Sequence, residues 1–216
     1  MLRAEELYRF YRAGDEEIRA LRGVSLDVAA GETVAVTGPS GSGKSTLLAC
    51  LAGLEEPDGG IVRIAGARID HRPERERAAL RARHIGLLFQ SGNLIEHLTV
   101  RQNLDLAQRL AGRRDRSWRD AVLDRVGLTG RARAWPSTLS GGEAARAGIA
   151  LAVANRPAVL LADEPTGELD RAAESDVLRL LRDQARQGTT VVIASHSPAV
   201  RRFADRTVTL KDGRAT

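Results

Sequence analysis

The stretch of sequence that decides the fold is residues 33–46, TVAVTGPSGSGKST. Its first five residues, Thr33–Thr37, form a short β-branched run, which is typical of a strand buried on both faces of a parallel sheet. The segment Gly38–Thr46 then matches the pattern G-x-x-x-x-G-K-S/T, and the apolar Leu47–Ala52 favours a helix. A strand, a glycine-rich loop and a helix in this order predict a loop whose backbone N–H groups converge on phosphate oxygens.

The glycine-rich loop therefore predicts nucleotide binding. Lys44 is expected to reach the β- and γ-phosphates, and the Ser45 hydroxyl is expected to bind Mg²⁺. Apart from Lys44 and Lys211, all basic residues of the chain are arginines or histidines, and a guanidinium is too broad for the position of Lys44. The loop residues expected to bind the nucleotide are Gly38, Pro39, Ser40, Gly41, Ser42, Gly43, Lys44, Ser45 and Thr46.

A second apolar strand ends in two carboxylates. The run Ala158–Ala162 is typical of a buried strand, and Asp163 and Glu164 follow it directly. Ligands collect at the C-terminal ends of strands in open α/β sheets, so we expect both carboxylates to face the phosphate loop. Asp163 is predicted to hold Mg²⁺. Glu164 is predicted to be the general base for the attacking water, acting together with Lys44.

The order of the remaining segments predicts an α/β fold. A third apolar run, Thr190–Ala194, follows the amphipathic segment Glu174–Arg186, which indicates a crossover between parallel strands. Residues 91–155 are rich in Ala, Leu and Arg and poor in β-branched residues, which predicts helices. We expect a single domain over 1–216, with an α/β core formed by 1–90 and 156–216 and a helical subdomain formed by 91–155.

Composition excludes several classes of protein. The chain has 216 residues, of which 43% are hydrophobic, and this is too apolar for a disordered protein. No apolar run approaches the roughly 18 residues of a membrane span, and the charged start, MLRAEE, is unlike a secretory signal. The lone Cys50 fits a reducing cytoplasm. The net charge of +5 comes from arginines interleaved with acids, which indicates a solvated surface, and the charge alone identifies no partner.

Four further fragments accompany the loop and the two carboxylates. They are Gln90 after an apolar stretch, LSGGE at 139–143, Leu169-Asp170, and His196 at the end of the last apolar run. In this order the set resembles the ATP-binding cassette of ABC transporters, over nearly the whole chain. The resemblance implies a P-loop NTPase core, made of a parallel sheet with helices plus an antiparallel β subdomain, and an inserted α-helical subdomain.

The resemblance also implies a homodimer that forms on ATP binding. Such cassettes pair head to tail and bury two ATP molecules, each between the phosphate loop of one subunit and the Ser-Gly-Gly segment of the other. Here Ser140, Gly141 and Gly142 would donate hydrogen bonds to the partner's γ-phosphate. Asp170 would line the dimer interface.

Three residues receive roles in the subunit's own site from the same resemblance. Gln90 would contact Mg²⁺ and link the site to the helical subdomain. His196 would contact the γ-phosphate and position the general base and the water. Tyr11 aligns with the aromatic residue that stacks on adenine, because a Tyr-x-x-Gly run that ends at Gly14 has the family's spacing. Tyr8 is the alternative for this role.

A finer resemblance is to the cassettes of macrolide exporters, lipoprotein-release systems, antimicrobial-peptide resistance transporters and the cell-division system. It is carried by GPSGSGKSTLL at 38–48, IGLLFQ at 85–90 and LADEPTG at 161–167. It implies an ATP-hydrolysing, energy-coupling subunit of the export or mechanical-coupling type, peripheral at the cytoplasmic face of the cell membrane. We expect it to act on a separate integral-membrane permease, with contact near Leu94–Asn103.

Two other functions are weighed against this one. The chain could regulate a membrane partner through ATP binding, as the cell-division cassette does, without transport. It could also be a nucleic-acid ATPase of the chromosome-maintenance type, but those proteins carry long coiled coils between the phosphate loop and the Ser-Gly-Gly segment. The stretch from Ser45 to Ser140 has no sustained heptads, so nucleic acid is disfavoured.

Three positions depart from the family's pattern. Glu143 stands where glutamine is usual, and Leu151 stands where an arginine is usual. Gly148 lies inside a predicted helix, at a cost of about 1 kcal/mol relative to alanine. Glu143 would place a negative charge near the partner's triphosphate. Because the donors Ser140–Gly142 are unchanged, we expect these departures to weaken hydrolysis at most.

Overall fold

The structure is a computed structural model that describes residues 1–13 and 16–216. Its strands are β1 (Leu2–Ala13), β2 (Glu16–Val28), β3 (Thr33–Thr37), β4 (Gly59–Ile64), β5 (Ala67–Arg68), β6 (Ile85–Leu88), β7 (Val159–Asp163), β8 (Thr190–Ala194), β9 (Arg206–Lys211) and β10 (Arg214–Ala215). Its helices are α1 (Lys44–Leu51), α2 (Glu74–His84), α3 (Val100–Leu110), α4 (Arg116–Arg125), α5 (Gly141–Val153), α6 (Arg171–Arg186) and α7 (Pro198–Phe203). Two 3-10 turns, Thr129–Arg131 and Pro136–Thr138, lie between α4 and α5.

A six-stranded sheet in the order β10-β9-β3-β8-β7-β6 carries the site. The strands from β9 to β6 pair in parallel, and β10 pairs antiparallel with β9. Every residue of β3 and β8 is buried. Ala35 and Ile193 belong to one hydrophobic cluster and Val34 and Val192 to another, so each face of the sheet packs against its own core. The α/β expectation is confirmed.

A second, antiparallel sheet has the strand order β2-β1-β4-β5. Leu2 pairs with Val28 on one side and with Ile64 on the other, so β1 lies between β2 and β4. Residues 24–28 and 61–64, in which apolar and polar residues alternate along the sequence, fall within β2 and β4. Strand β1 lacks this regular alternation, because its register shifts, for example between Ala4 and Leu7, interrupt the two-residue period.

The helices α3, α4 and α5 all fall within the segment 91–155 that was expected to be helical. They share a hydrophobic cluster with the inner face of α6, so the segment packs onto the larger sheet through buried residues such as Leu104, Leu123 and Ile149. The division of the chain into a core and a subdomain stays a prediction. Across the two described ranges, none of the helices has the length and apolar character needed to cross a bilayer.

Candidate functional site

The glycine-rich loop follows β3 and turns directly into α1. Helix α1 begins at Lys44, so Lys44, Ser45 and Thr46 form its first turn, three residues earlier than the sequence suggested. Gly43 has a φ of 101°, and a side chain there would also strike the carbonyl oxygen of Ala20. Only glycine permits this close turn. It leaves the N–H groups at the start of α1 directed out of the helix, where they suit an anion.

Polar groups of the loop are available to a phosphate. The Lys44 ammonium lies over the loop and donates to the carbonyl oxygens of Gly38 and Pro39, both at 3.0 Å. The Ser42 hydroxyl is buried and finds no hydrogen-bond partner within the described residues. A buried hydroxyl without a partner is costly unless a ligand or water satisfies it. The lysine, the hydroxyl and the helix N-terminus together fit a bound triphosphate.

An open cleft of about 740 Å³ brings half of the predicted site residues together. The carboxylates at the end of β7 form one wall and the start of α1 forms another. Residues from β1 and β2 and from the turn before β10 complete the cleft. The predicted site residues that line it are Tyr11, Ser40, Gly41, Gly43, Lys44, Ser45, Thr46, Asp163 and Glu164.

Glu164 leaves β7 in a left-handed conformation with a φ of 45°, which is uncommon for a residue other than glycine and is often found at functional sites. Its N–H donates to the carbonyl oxygen of Ala194 at 2.9 Å, which ties the turn to β8. Its two carboxylate oxygens have separate partners. Oε1 lies 2.9 Å from Nδ1 of His196, and Oε2 accepts a hydrogen bond of 2.9 Å from the Ser195 hydroxyl.

The donor set in the cleft fits Mg²⁺ in its usual protein setting. Asp163 supplies a carboxylate and Ser45 a hydroxyl on the same cleft. No group of three or more His, Cys, Asp or Glu side chains in 1–13 and 16–216 is arranged to hold a metal. This sparse set is what Mg²⁺ requires, because it binds through one or two carboxylates together with waters and substrate phosphates.

Gln90 does not line this cleft. It lies in a neighbouring groove of about 310 Å³, together with Gly141 and Glu168. Its side-chain amide nitrogen donates to Oε1 of Glu168 at 3.1 Å. The contact of Gln90 with Mg²⁺ stays a prediction.

The Tyr11 side chain is held at the mouth of the cleft by two neighbours. Its hydroxyl donates to Glu55, and the Arg9 guanidinium lies 4.8 Å from the centre of its ring. Burial, and then the hydrogen bond to Glu55, raise the pKa of the Tyr11 phenol. Tyr8 is not a lining residue of the cleft, and its ring lies 6.3 Å from that of Phe10. Gly14, which supports the alignment of Tyr11, falls outside the described residues.

The Ser-Gly-Gly segment forms the N-terminus of α5. Ser140 is the N-cap, and its hydroxyl accepts from the Glu143 N–H at 3.3 Å while Glu143 accepts from the Ser140 N–H at 2.9 Å. Arg131 lies 3.1 Å from the same carboxylate. These contacts, first the Ser140 N–H and then Arg131, lower the pKa of Glu143. The charge of Glu143 is thus engaged within its own chain.

Asp170, predicted at the dimer interface, and His196, predicted at the γ-phosphate, also have contacts within the chain. Asp170 is the N-cap of α6, where it accepts from the Ala173 N–H at 2.9 Å. His196 is exposed apart from its contact with Glu164. Asp170 and the segment Ser140–Gly142 do not line the cleft. Their contacts with a second subunit stay predictions.

Several residues that shape the site were not singled out as functional from the sequence. Ser195 contacts Glu164 from 31 positions away, Glu55 contacts Tyr11 from 44, and Glu168 contacts Gln90 from 78. Contacts across such separations leave no periodic signal in one sequence. Only Ser195 has a local signal, because it is a polar residue placed between an apolar strand and the predicted His196.

Comparison with known proteins identifies the family. The profile of the family described as ABC transporter matches residues 21–167. The chain is similar to the macrolide export ATP-binding/permease protein MacB 1 of Yersinia pestis bv. Antiqua, with 42% identity over 219 residues. It is also similar to MacB of Escherichia coli K12, with 41% identity over 216 residues. Each match covers 99% of this chain but 33% of the relative, so the chain spans about one third of these relatives.

Solved structures agree with the sequence matches. The dimeric structure of MJ0796, a bacterial ABC transporter cassette, superposes with a TM-score of 0.91 at 36% identity and covers 100% of this chain and 96% of that one. A post-hydrolysis state of MJ0796 bound to ADP and Pi gives the same TM-score at 35% identity, with the same coverage. The phosphate loop and the two carboxylates at the end of β7 agree with this similarity. The chain belongs to the ABC transporter family as a nucleotide-binding ATPase domain.

Proposed function

We propose that this ATPase is the energy-coupling component of an ABC transporter, working as a head-to-tail dimer that drives a membrane permease of the export or mechanical-coupling type. The observation that carries the proposal is the separation of two phosphate-binding features. The cleft holds Lys44, Ser45 and Asp163, whereas Ser140–Gly142 lie outside it. A γ-phosphate in the cleft would therefore receive the Ser140–Gly142 donors from a second copy.

The N-terminus of α5 is suited to that second role. Gly141 and Gly142 are its first helical residues, so their N–H groups have no acceptor inside the helix. A methyl group added at Gly141 would meet nothing within 4 Å, which indicates that the segment presents open backbone to its surroundings. An anion placed there is favoured by the free N–H groups and by the helix dipole.

The residues of the cleft can be assigned to steps of hydrolysis. Lys44 and the loop N–H groups hold the phosphates, and Ser45 and Asp163 would hold Mg²⁺, which supplies charge neutralisation when bound. Glu164 accepts a proton from the water as the water oxygen bonds to the γ-phosphorus. The bond from that phosphorus to the bridging oxygen breaks, and ADP leaves with the oxygen. His196 is exposed next to Glu164 and is free to turn towards the γ-phosphate.

An apolar groove beside the helical segment supports a membrane permease as partner. It has a volume of about 280 Å³ and is lined in part by Phe89, Leu110 and Leu151. Phe89 is 44% exposed and Leu110 is 71% exposed, so two large apolar side chains of the same groove face solvent. The names of the MacB relatives join ATP binding to a permease. We propose that a cytoplasmic segment of the permease occupies this groove and holds the chain at the membrane.

Only part of the segment Leu94–Asn103, where a permease contact is expected, is accessible to a partner. Val100 is buried, and so is Asn103, whose side-chain amide donates to the carbonyl oxygens of Ile95 and Leu98. Residues 95–97 and Gln102 are the exposed residues of this segment. The proposed contact combines the exposed run 95–97 with the apolar groove.

A mixing experiment tests the head-to-tail arrangement. Lys44→Ala removes the phosphate contact from one surface, and Gly141→Asp places a negative charge on the other. In a dimer of either variant alone, both sites would be damaged, whereas a mixed dimer contains one site with an intact loop and an intact Ser-Gly-Gly segment. We expect mixing the two inactive chains to restore part of the ATPase activity.

The control is Gly130→Asp, which introduces the same charge at another glycine with open space around it. Gly130→Asp alone should retain activity. If mixing restores nothing while both inactive variants remain folded, the head-to-tail dimer is rejected. Leu110→Asp tests the groove: it should lose co-purification with the membrane permease and keep its ATPase activity.

A further inference from the structure

We propose that Ser195 is a positioning residue for ATP hydrolysis, which holds the Glu164 carboxylate in the orientation needed to receive the proton of water. The inference rests on the proposed role of Glu164 as general base. The Ser195 hydroxyl donates to Oε2 of Glu164 at 2.9 Å. Ser195 is only 1% exposed, so water does not compete for this contact.

The direction of this hydrogen bond is set by the surroundings of Ser195. The N–H of Ser197 donates to the Ser195 hydroxyl oxygen at 3.1 Å. A hydroxyl has a single proton, and with its oxygen already accepting from Ser197 that proton is directed at Glu164. The backbone is fixed as well, because the Ser195 N–H donates to the carbonyl oxygen of Val36 at 3.0 Å. Ser195 is thus anchored to the strand that leads into the phosphate loop.

A carboxylate on α6 fixes the segment that carries Ser195. Oε1 of Glu174 accepts from the Ser197 hydroxyl at 2.7 Å and from the Thr166 hydroxyl at 3.2 Å. Thr166 follows Glu164 in the turn after β7, and Ser197 follows Ser195 after β8. The segments 164–166 and 195–197, which meet at the Glu164 carboxylate, are therefore also connected through Glu174. This arrangement limits their relative movement.

Ser195 and His196 hold the same carboxylate in different ways. His196 contacts Oε1, but its side chain is 76% exposed and can leave without disturbing packed residues. When His196 turns to the γ-phosphate, Oε1 is released and can face water. Ser195 then remains as the contact that prevents the carboxylate from rotating. The two residues would therefore act at different points of the cycle, with Ser195 holding Glu164 throughout.

Substitutions of Ser195 test the inference through kcat and Mg-ATP affinity. Ser195→Ala removes the donor, and we expect kcat to fall about 10- to 100-fold, as for other small misplacements of reacting groups. The affinity for Mg-ATP should stay within about twofold, because Lys44, Ser45 and Asp163 are unchanged. Ser195→Thr keeps the hydroxyl and should recover most of kcat. Ser195→Cys keeps the shape with a weak donor, so it should be impaired even if Ser195→Ala does not fold.

Thr190→Val is the matched control. Thr190 is a fully buried residue at the other end of the same strand, and its hydroxyl donates to the carbonyl oxygen of Ala29 at 2.9 Å, away from the cleft. Its substitution removes one buried hydroxyl and should lower the melting temperature without changing kcat at a temperature where the protein is folded. A fall in kcat of similar size in Thr190→Val would mean that the Ser195 effect is general destabilisation, and would overturn the inference.

A double-mutant cycle with Glu164→Gln separates this inference from the role of Glu164. If Ser195 acts through the basicity of Glu164, Ser195→Ala should cause little further loss in the Glu164→Gln background, measured in single-turnover experiments. An equal loss in both backgrounds would reject Ser195 as a positioning residue. Normal turnover in Glu164→Gln itself would reject the general base instead. Normal kcat in folded Ser195→Ala, with Glu164→Gln impaired, would reject only the inference about Ser195.

Discussion

Gly148 of α5 lies directly against Asn93, so that a methyl group added to the glycine would come within 3.2 Å of Cβ of Asn93. Asn93 closes the loop that contains Gln90, because its side chain accepts from the Phe89 N–H at 2.8 Å and donates to the Phe89 carbonyl oxygen at 2.7 Å. The helix that begins at the Ser-Gly-Gly segment therefore packs at Gly148 against the side chain that closes the loop of Gln90.

Gly148→Ala is expected to destabilise the protein. Helix propensity alone would favour alanine by about 1 kcal/mol. The new methyl group, however, would also lie 2.9 Å from Leu88, and Asn93 is held by two hydrogen bonds. Overpacking of this kind costs typically about 1–3 kcal/mol. Chemical denaturation should show a lower free energy of unfolding, whereas Gly130→Ala, with open space around it, should not. A more stable Gly148→Ala would mean that the loop yields easily.

Glu143→Gln is expected to lower stability near neutral pH, although glutamine is usual in the family. The pKa of Glu143 is lowered in the folded chain by the Ser140 N–H and by Arg131. The ionised carboxylate therefore stabilises the fold above its unfolded pKa, and this contribution is lost as the pH falls through the folded pKa. Glutamine can still form the capping box but carries no charge.

Thermal melts at two pH values measure this difference. Wild type should melt at a higher temperature than Glu143→Gln near neutral pH, and the gap should shrink as the pH falls below the ordinary glutamate pKa of about 4.3. A gap that is independent of pH would show that the charge of Glu143 does not matter. Salt should reduce the gap as well, since Arg131 and Glu143 are partly exposed.

Tyr11→Ala is expected to weaken the binding of Mg-ATP. In nucleic-acid complexes, stacking of a base on an aromatic ring contributes about 1–3 kcal/mol, which sets the scale for adenine. Arg9 covers one side of the Tyr11 ring and Glu55 holds its hydroxyl, so the ring is already oriented at the cleft. Titration calorimetry should show weaker ATP binding and a smaller preference for ATP over GTP. Tyr8→Ala is the control and should bind normally; the reverse result would assign stacking to Tyr8.

The central strands and the glycine-rich loop after β3 could be predicted because their signals are local. Thr33–Thr37 and Thr190–Ala194 are buried on both faces and carry continuous apolar runs, so their positions agree with the structure. The strand Leu2–Ala13 could not be found in the same way, because register shifts break its alternation. Helix α1 begins at Lys44, earlier than its apolar residues suggest, because its first turn consists of polar ligand-facing residues.

Pairwise contacts within the site could be predicted far less well than the identity of its residues. The sequence places Asp163 and Glu164 at the end of a strand, which is where the structure has them, on the cleft with Lys44. It does not indicate that Glu164 has Ser195 as a partner, because that contact depends on the parallel pairing of β7 with β8. It also does not predict Gln90 in a groove outside the cleft, because the position of its loop depends on the packing of α5.

Glu164→Gln and Asp163→Asn are expected to separate hydrolysis from nucleotide binding. Removing the base should slow hydrolysis by about 10²- to 10⁴-fold, while Lys44, Ser45 and Asp163 still hold Mg-ATP. Binding without hydrolysis should trap an ATP-bound dimer, which size-exclusion chromatography with Mg-ATP would detect and which wild type should not accumulate. Asp163→Asn should instead bind Mg-ATP poorly and stay monomeric, because it loses the carboxylate expected to hold Mg²⁺. Near-normal turnover in Glu164→Gln would leave His196 or the substrate phosphate as the proton acceptor, and a trapped dimer in Asp163→Asn would contradict its role in binding Mg²⁺.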